Sequence, residues 1–294
     1  MFANDDRMIC VSCGTQFDTP LAQAPKLCRM CMEPRQFIPP AGQQWTSLVE
    51  MQGKYKNRFE QDKENPHVWS IFSRPQMAIG QRAILVGTPA GNILWDCISY
   101  IDQETIDFIK SRGGLKAIAI SHPHFYASHL VWAHEFDCPV YLASEDQEWL
   151  NSEDVEHRRI FVDAQEYEIL PGANMVKLGG HFTGSSILHC HDTIFTGDTI
   201  GISLSGLNFD SHTDGEHQTF FFHYAFPNFV PLGPNAMLSM WERLEPWNFT
   251  TLHSLFFVTT VRHPDCKGLV LESMQRQARF MEHTEHALLQ ETWK

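Results

Sequence analysis

Leu115-Lys116-Ala117-Ile118-Ala119-Ile120-Ser121-His122-Pro123-His124-Phe125-Tyr126-Ala127 is the stretch on which the fold turns. A short apolar run ends directly in two imidazoles, so a buried strand would hold both rigidly while facing them toward open space. Working outward, Gly179-Gly180-His181, Thr196-Gly197-Asp198-Thr199 and His253 add candidate ligands from distant parts of the chain. Three imidazoles and a carboxylate suit a divalent metal that keeps a position open to water, the chemistry of metal-assisted hydrolysis.

The flanking sequence supplies the supporting elements. Ala83 to Val86 and Ile93 to Trp95 read as two strands joined by the Gly-rich turn between them. A helix follows, with Asp102 as N-cap, Ile101 and Ile106 at the staple positions and Gly113-Gly114 ending it. Ser128 to Phe136 is expected to be helical and Val140 to Leu142 a strand. Further strands are expected at Tyr167 to Leu170, Met175 to Leu178, Ser186 to Cys190 and Thr193 to Thr196, with His191-Asp192 as a hairpin turn. Helices near Asn235 to Arg243 and from Asp265 onward complete the pattern. Short strands with flanking helices point to an α/β fold of two packed sheets with helices outside.

Together these motifs resemble the metallo-β-lactamase superfamily over roughly residues 67–294. That pattern runs H-x-H-x-D-H, a His after a Gly pair, a Gly-Asp pair and a late His. The resemblance implies an αββα sandwich with metals at one edge. It also implies His122, His124 and His181 as metal ligands, Asp198 as the bridging carboxylate and His253 as the late His. The departure is at Tyr126-Ala127, where the superfamily has Asp and His belonging mainly to a second metal. One catalytic zinc is therefore expected, with a second catalytic metal, iron or manganese left open. The expected activity is a metallo-hydrolase attacking an ester, thioester, lactone or lactam through a metal-bound hydroxide, assisted by Asp198. Tyr126 has two readings: a phenol that stabilises an oxyanion or protonates a leaving group, or a space-filling aromatic that removes the second metal. The alternatives for the whole protein are an iron-containing redox member and a non-catalytic metal-binding scaffold.

Ahead of this domain, Cys10-Val11-Ser12-Cys13 and Cys28-Arg29-Met30-Cys31 have zinc-ribbon spacing, four thiolates for one closed structural zinc. A redox-active dithiol or an iron site is the rival reading, weakened for iron by Met32. The expected organisation is a ribbon at 1–36, a linker wrapping onto the core at 37–66, and the metallo-β-lactamase-like domain at 67–294. The other cysteines, Cys97, Cys138, Cys190 and Cys266, read as buried free thiols of a reducing compartment.

Composition bounds the partners. The 294-residue chain carries a net charge of −13 with 43% hydrophobic residues, ordinary for a globular enzyme. Residues 145–168 hold nine acids against Arg158 and Arg159 and read as a solvated surface segment. No basic face suits a nucleic-acid backbone, and no apolar run suits a bilayer, so a small-molecule substrate, a cytoplasmic location and homo-oligomerisation are the expectations. Aromatics around His223, with Phe222 and Tyr224 foremost, either wall a substrate pocket or form a packing cluster. His212 and His217 belong to the same segment.

Overall fold

The strand that leads into the histidine pair is formed by the apolar residues Ala117–Ala119, every one buried. It lies in the computed structural model of the protein, which describes residues 5–207 and 218–293. His212 and His217 lie outside the described residues. Contacts divide the chain into two compact units, residues 1–163 with 169–171, and residues 164–168 with 172–294.

In the first unit, a three-stranded sheet of order β2-β1-β3 contains β1 (Arg7–Cys10), β2 (Gln16–Pro20) and β3 (Trp45–Thr46). After the short helix α1 (Leu48–Met51) come β4 (Lys56–Gln61), β5 (Val68–Arg74), β6 (Ala83–Thr88) and β7 (Gly91–Trp95). Helix α2 (Gln103–Lys110) leads to β8 (Ala117–Ala119), and α3 (His129–Phe136) to β9 (Val140–Ala143) and β10 (Arg159–Val162). Strands β4 to β10 form one seven-stranded sheet in reverse sequence order. β4 to β7 pair antiparallel, whereas β7 to β10 pair parallel. Parallel pairing requires crossovers, which α2 supplies between β7 and β8 and α3 between β8 and β9. Helix α2 begins as expected: the Asp102 carboxylate accepts the Thr105 amide at 2.8 Å, and Ile101 and Ile106 are both buried.

The second unit contains the first part of β11 (Glu166–Leu170), with β12 (Ala173–Lys177), β13 (Ser186–Cys190) and β14 (Thr193–Thr196). Next come the short strands β15 (Gly201–Ile202), β16 (Phe220–Phe221), β17 (His223–Ala225) and β18 (Val230–Pro231). Helix α4 (Pro234–Leu244), β19 (Thr251–His253), β20 (Thr260–Arg262) and helix α5 (Cys266–Phe280) follow. Its main sheet has six strands in the order β11-β12-β13-β14-β19-β20. Its core gathers Val176, Ile187, Ile194 and Leu252 from that sheet with Met240, Trp241 and Met274 from the two helices.

Two segments differ from the sequence reading. Residues 37–66, read as a wrapping linker, supply β3 to the ribbon sheet and β4 to the seven-stranded sheet. β4 is mostly polar because it lies at the edge of its sheet, and such a strand lacks the apolar alternation that betrays an interior one. The acidic segment is likewise built in: Asp146 is buried, β10 lies within it, and the Asp154 carboxylate accepts the amides of Arg158 and Arg159 at 3.0 and 2.7 Å. Its charges are partly spent on its own backbone. A chain-local charge count cannot reveal that.

Candidate metal centres

The ribbon site follows from two knuckles. β1 ends at Cys10, and the turn to β2 carries Cys13 and then Gly14 at φ +80°, a conformation that suits glycine. A Cβ there would stand 2.6 Å from Ser99 Oγ, so the turn has no room for one. Cys10 and Cys31 sulfurs lie 3.5 Å apart, and Cys13 and Cys28 sulfurs 3.8 Å apart. Zinc–sulfur bonds of about 2.3 Å in a tetrahedron give sulfur–sulfur edges of about 3.8 Å, so the four thiols fit one such ion. Hydrogen bonding from the Cys13, Cys28 and Cys31 thiols lowers the pKa of the Cys10 thiol, while contact with Cys10 raises those of Cys13 and Cys31. A small core of Met8, Phe17 and Met30 surrounds the sulfurs, with Trp45 and Trp149 packed against it.

Candidate imidazole ligands are set down in both units. In the first, β8 delivers Ser121-His122, and the Ser121 amide donates to the Asp96 carboxylate at 2.7 Å. Pro123 opens a single 3-10 turn, Pro123–Phe125, which places His124 just beyond His122; their rings are 5.1 Å apart. Ser121 Oγ lies 2.8 Å from His122 Nδ1. In the second unit, Gly179 and Gly180 at φ +74° and +85° turn the chain sharply after β12 and set down His181. His181 Nδ1–H donates to the Tyr224 carbonyl at 2.8 Å, which leaves Nε2 as the nitrogen with a lone pair to offer. That Nε2 is 3.4 Å from Asp198 Oδ2, and Asp198 follows the C-terminal end of β14. Two ligands on one tetrahedral ion with bonds of about 2.0–2.1 Å stand about 3.3–3.4 Å apart, so this spacing fits a shared metal.

His122, His124, His181 and Asp198 are all buried, and their ligand atoms lie within 4.8 Å of one another. The four cysteines form the second such group among the described residues. His253 is not one of the four. It ends β19, stacks on Phe195 at 5.1 Å and has Nδ1 2.9 Å from Thr260 Oγ1.

The comparisons with known proteins agree with this geometry. No protein-family model matches the sequence. Among solved structures, the DIM-1 metallo-β-lactamase exposed to ceftazidime is 11% identical with a TM-score of 0.50, covering 77% of this chain and 98% of that one. A metallo-β-lactamase from Erythrobacter litoralis with β-mercaptoethanol in its active site is 15% identical with a TM-score of 0.50, covering 76% of this chain and 96% of that one. At such identities the likeness is one of fold. The uncharacterized protein YmaE of Bacillus subtilis (strain 168) is 33% identical over 276 residues, spanning 92% of this chain and 93% of that protein. The chain belongs to the YmaE family and has the metallo-β-lactamase fold. Among the described residues of this YmaE-family protein, no helix is long and apolar enough to cross a membrane.

Several expected site residues are assigned elsewhere. The Tyr126 hydroxyl donates to the Asp146 carbonyl at 3.2 Å, and burial raises its pKa. A phenol so committed is a poor proton donor to a leaving group, and the geometry supports the space-filling reading. Tyr126→Phe is therefore expected to keep its turnover when zinc is saturating, at a cost of about 0.5–1.5 kcal/mol in stability seen as a lower Tm. Phe222 is fully buried in the core of the second unit, which favours the packing reading of that aromatic cluster. Tyr224 contributes its backbone carbonyl, while His223 is half-buried beside Phe221 and Phe226. Asp96, Ser121 and Thr260 carry the supporting hydrogen bonds, and nothing in the local sequence marks them.

His129 lies buried behind the histidine loop, with Nδ1–H donating to the Tyr126 carbonyl at 2.7 Å and Nε2 accepting from Arg159 Nε at 2.9 Å. Burial, reinforced by the Arg159 charge, holds its pKa down to about 3. Because the folded pKa lies below the unfolded value of about 6.5, this group's contribution is present above pH 6.5 and is lost as pH falls toward 3. Denaturant melts at stepped pH should show wild type losing stability below pH 6.5 more steeply than His129→Gln. Parallel curves would reject the assignment.

Proposed function

We propose that this protein is a metal-dependent hydrolase with a mononuclear zinc centre, acting on an ester, thioester, lactone or lactam. The observation that carries the reading is the His122, His124, His181 and Asp198 group, together with Tyr126 and Ala127 at the positions where a second metal would need Asp and His. A zinc ion held by the three imidazoles would supply an acidified water and a Lewis-acid pull on a carbonyl oxygen.

The chain's own residues do the rest. The Tyr224 carbonyl fixes the His181 tautomer and ring orientation. The Asp96 carboxylate fixes the backbone that enters the histidine pair. Asp198, within reach of the same centre, accepts a proton from the attacking water or shares the metal. The ribbon zinc is structural in this reading, and a small acyl compound is the substrate. The acidic balance of the chain disfavours a polyanion.

Elemental analysis of the purified full chain, combined with assays against aryl esters, acyl thioesters, lactones and β-lactams, tests it. The expected result is zinc at both groups and turnover of at least one acyl class. Iron exceeding zinc at the imidazole site, or no turnover of any class by zinc-loaded protein, would overturn it.

A further inference from the structure

The two residues that depart from the superfamily pattern face a neighbour with its own metal group. Ala127 has φ +41°, a left-handed conformation that a non-glycine residue keeps only where its surroundings hold it. What holds it is the ribbon. The Gln16 amide, at the start of β2 just past the Cys13 knuckle, donates to the Ala127 carbonyl at 3.0 Å. Next to it, Ser128 Oγ donates to the Ser99 carbonyl at 2.7 Å, and Ser99 Oγ donates to the Gly14 carbonyl at 2.7 Å. Gly14 directly follows Cys13, so these bonds link the sulfur knuckle to the histidine loop through buried groups in both directions.

A second set of contacts closes the arrangement. Tyr126 is tied by its hydroxyl to the Asp146 carbonyl. The segment after Asp146 is itself tied to the ribbon: the Asp18 amide donates to the Asn151 carbonyl at 3.3 Å, the Glu153 amide donates to the Asp18 carboxylate, and the Arg29 guanidinium donates to the Glu148 carbonyl at 2.6 Å. Trp149 packs on the ribbon core with the Arg29 and Arg35 guanidiniums at 5.9 and 5.5 Å from its ring. Both residue 126 and residue 127 are therefore anchored, one directly and one indirectly, to the cysteine ribbon.

We propose that the cysteine ribbon is the positioning element of the imidazole site. Its knuckle braces residues 122–129 at the two positions where ligands to a second metal would otherwise do so, and occupancy of the ribbon sets how tightly His122 and His124 hold their own ion. Ser99 is the positioning residue that joins the two. The affinity consequence rests on the metal-site reading above, whereas the bracing itself does not.

Two variants of the full chain test this, read by amide hydrogen exchange and by zinc competition with a chromophoric chelator. Ser99→Ala cuts the link to Gly14 and spares every cysteine. Cys28→Ser removes a ribbon ligand. In Ser99→Ala, with ribbon zinc still bound, exchange at the Tyr126 and His129 amides should accelerate at least about fivefold, and zinc affinity at the imidazole site should weaken about 10-fold. Cys28→Ser should exceed both. Unchanged exchange across 122–129 in Ser99→Ala, or acceleration spread evenly over the first unit, overturns the proposal. If the wild type binds zinc only at the ribbon, the hydrolase reading fails while the exchange measurement still decides this one.

Discussion

Replacing His181 by alanine is expected to empty the imidazole site and to lower turnover by at least about 100-fold, with the ribbon metal retained. His181 comes from a different part of the chain than His122 and His124. A pair of imidazoles from one turn cannot enclose an ion without a third ligand to oppose them. Its Nδ1 is spent on the Tyr224 carbonyl, and its Nε2 stands 3.4 Å from Asp198, so no other nitrogen of this residue can substitute. The measurement is a metal count by element on wild type and variant, taken beside a melting curve. His253→Ala is the comparison, because His253 lies outside the four-residue group; it should keep its metal. Retention of full metal by His181→Ala would remove the basis of the assignment.

Loss of the ribbon metal is expected to unfold the ribbon, the second large effect. Among the described residues, the apolar side chains buried around the four sulfurs are Met8, Phe17 and Met30. So few apolar side chains cannot repay the conformational entropy of the ordered residues. A structural zinc contributes on the order of 10–16 kcal/mol in comparable small sites, far more than this core can. Cys28→Ser, or wild type held in a strong chelator, should lose that metal and become open to proteolysis within residues 5–46. The sheet of the second unit should survive, since its core of Val176, Ile187, Trp241 and Met274 lies within that unit. Protease resistance of the ribbon after complete metal removal would show that something other than the ion holds it.

Much of the candidate site was legible in the residues. The apolar run ending at His122 reads as a strand because three consecutive buried positions need apolar side chains. Asp102, the staple isoleucines and Gly113-Gly114 mark α2 because helix ends leave unpaired backbone groups that particular side chains satisfy. The Cys-x-x-Cys pairs announce one metal because two residues between ligands make a knuckle whatever the surrounding fold.

Other features were illegible for equally physical reasons. β4 is short on apolar residues, and the three of β10 sit inside a strongly acidic segment. The acidic segment looked solvated, although Asp146 is buried and Asp154 caps its own backbone. Phe222 could have lined a pocket or a core, since an aromatic run fits both, and it lies in the core.

By itself, the sequence determined which side chains can bind metal and which elements deliver them, because ligand chemistry and strand or helix periodicity are local properties. Tertiary structure alone decided what Tyr126 and Ala127 do. Their partners, the Asp146 carbonyl and the Gln16 amide, are backbone groups. Every residue but proline carries both a carbonyl and an amide, so no residue type in the sequence announces which ones will meet.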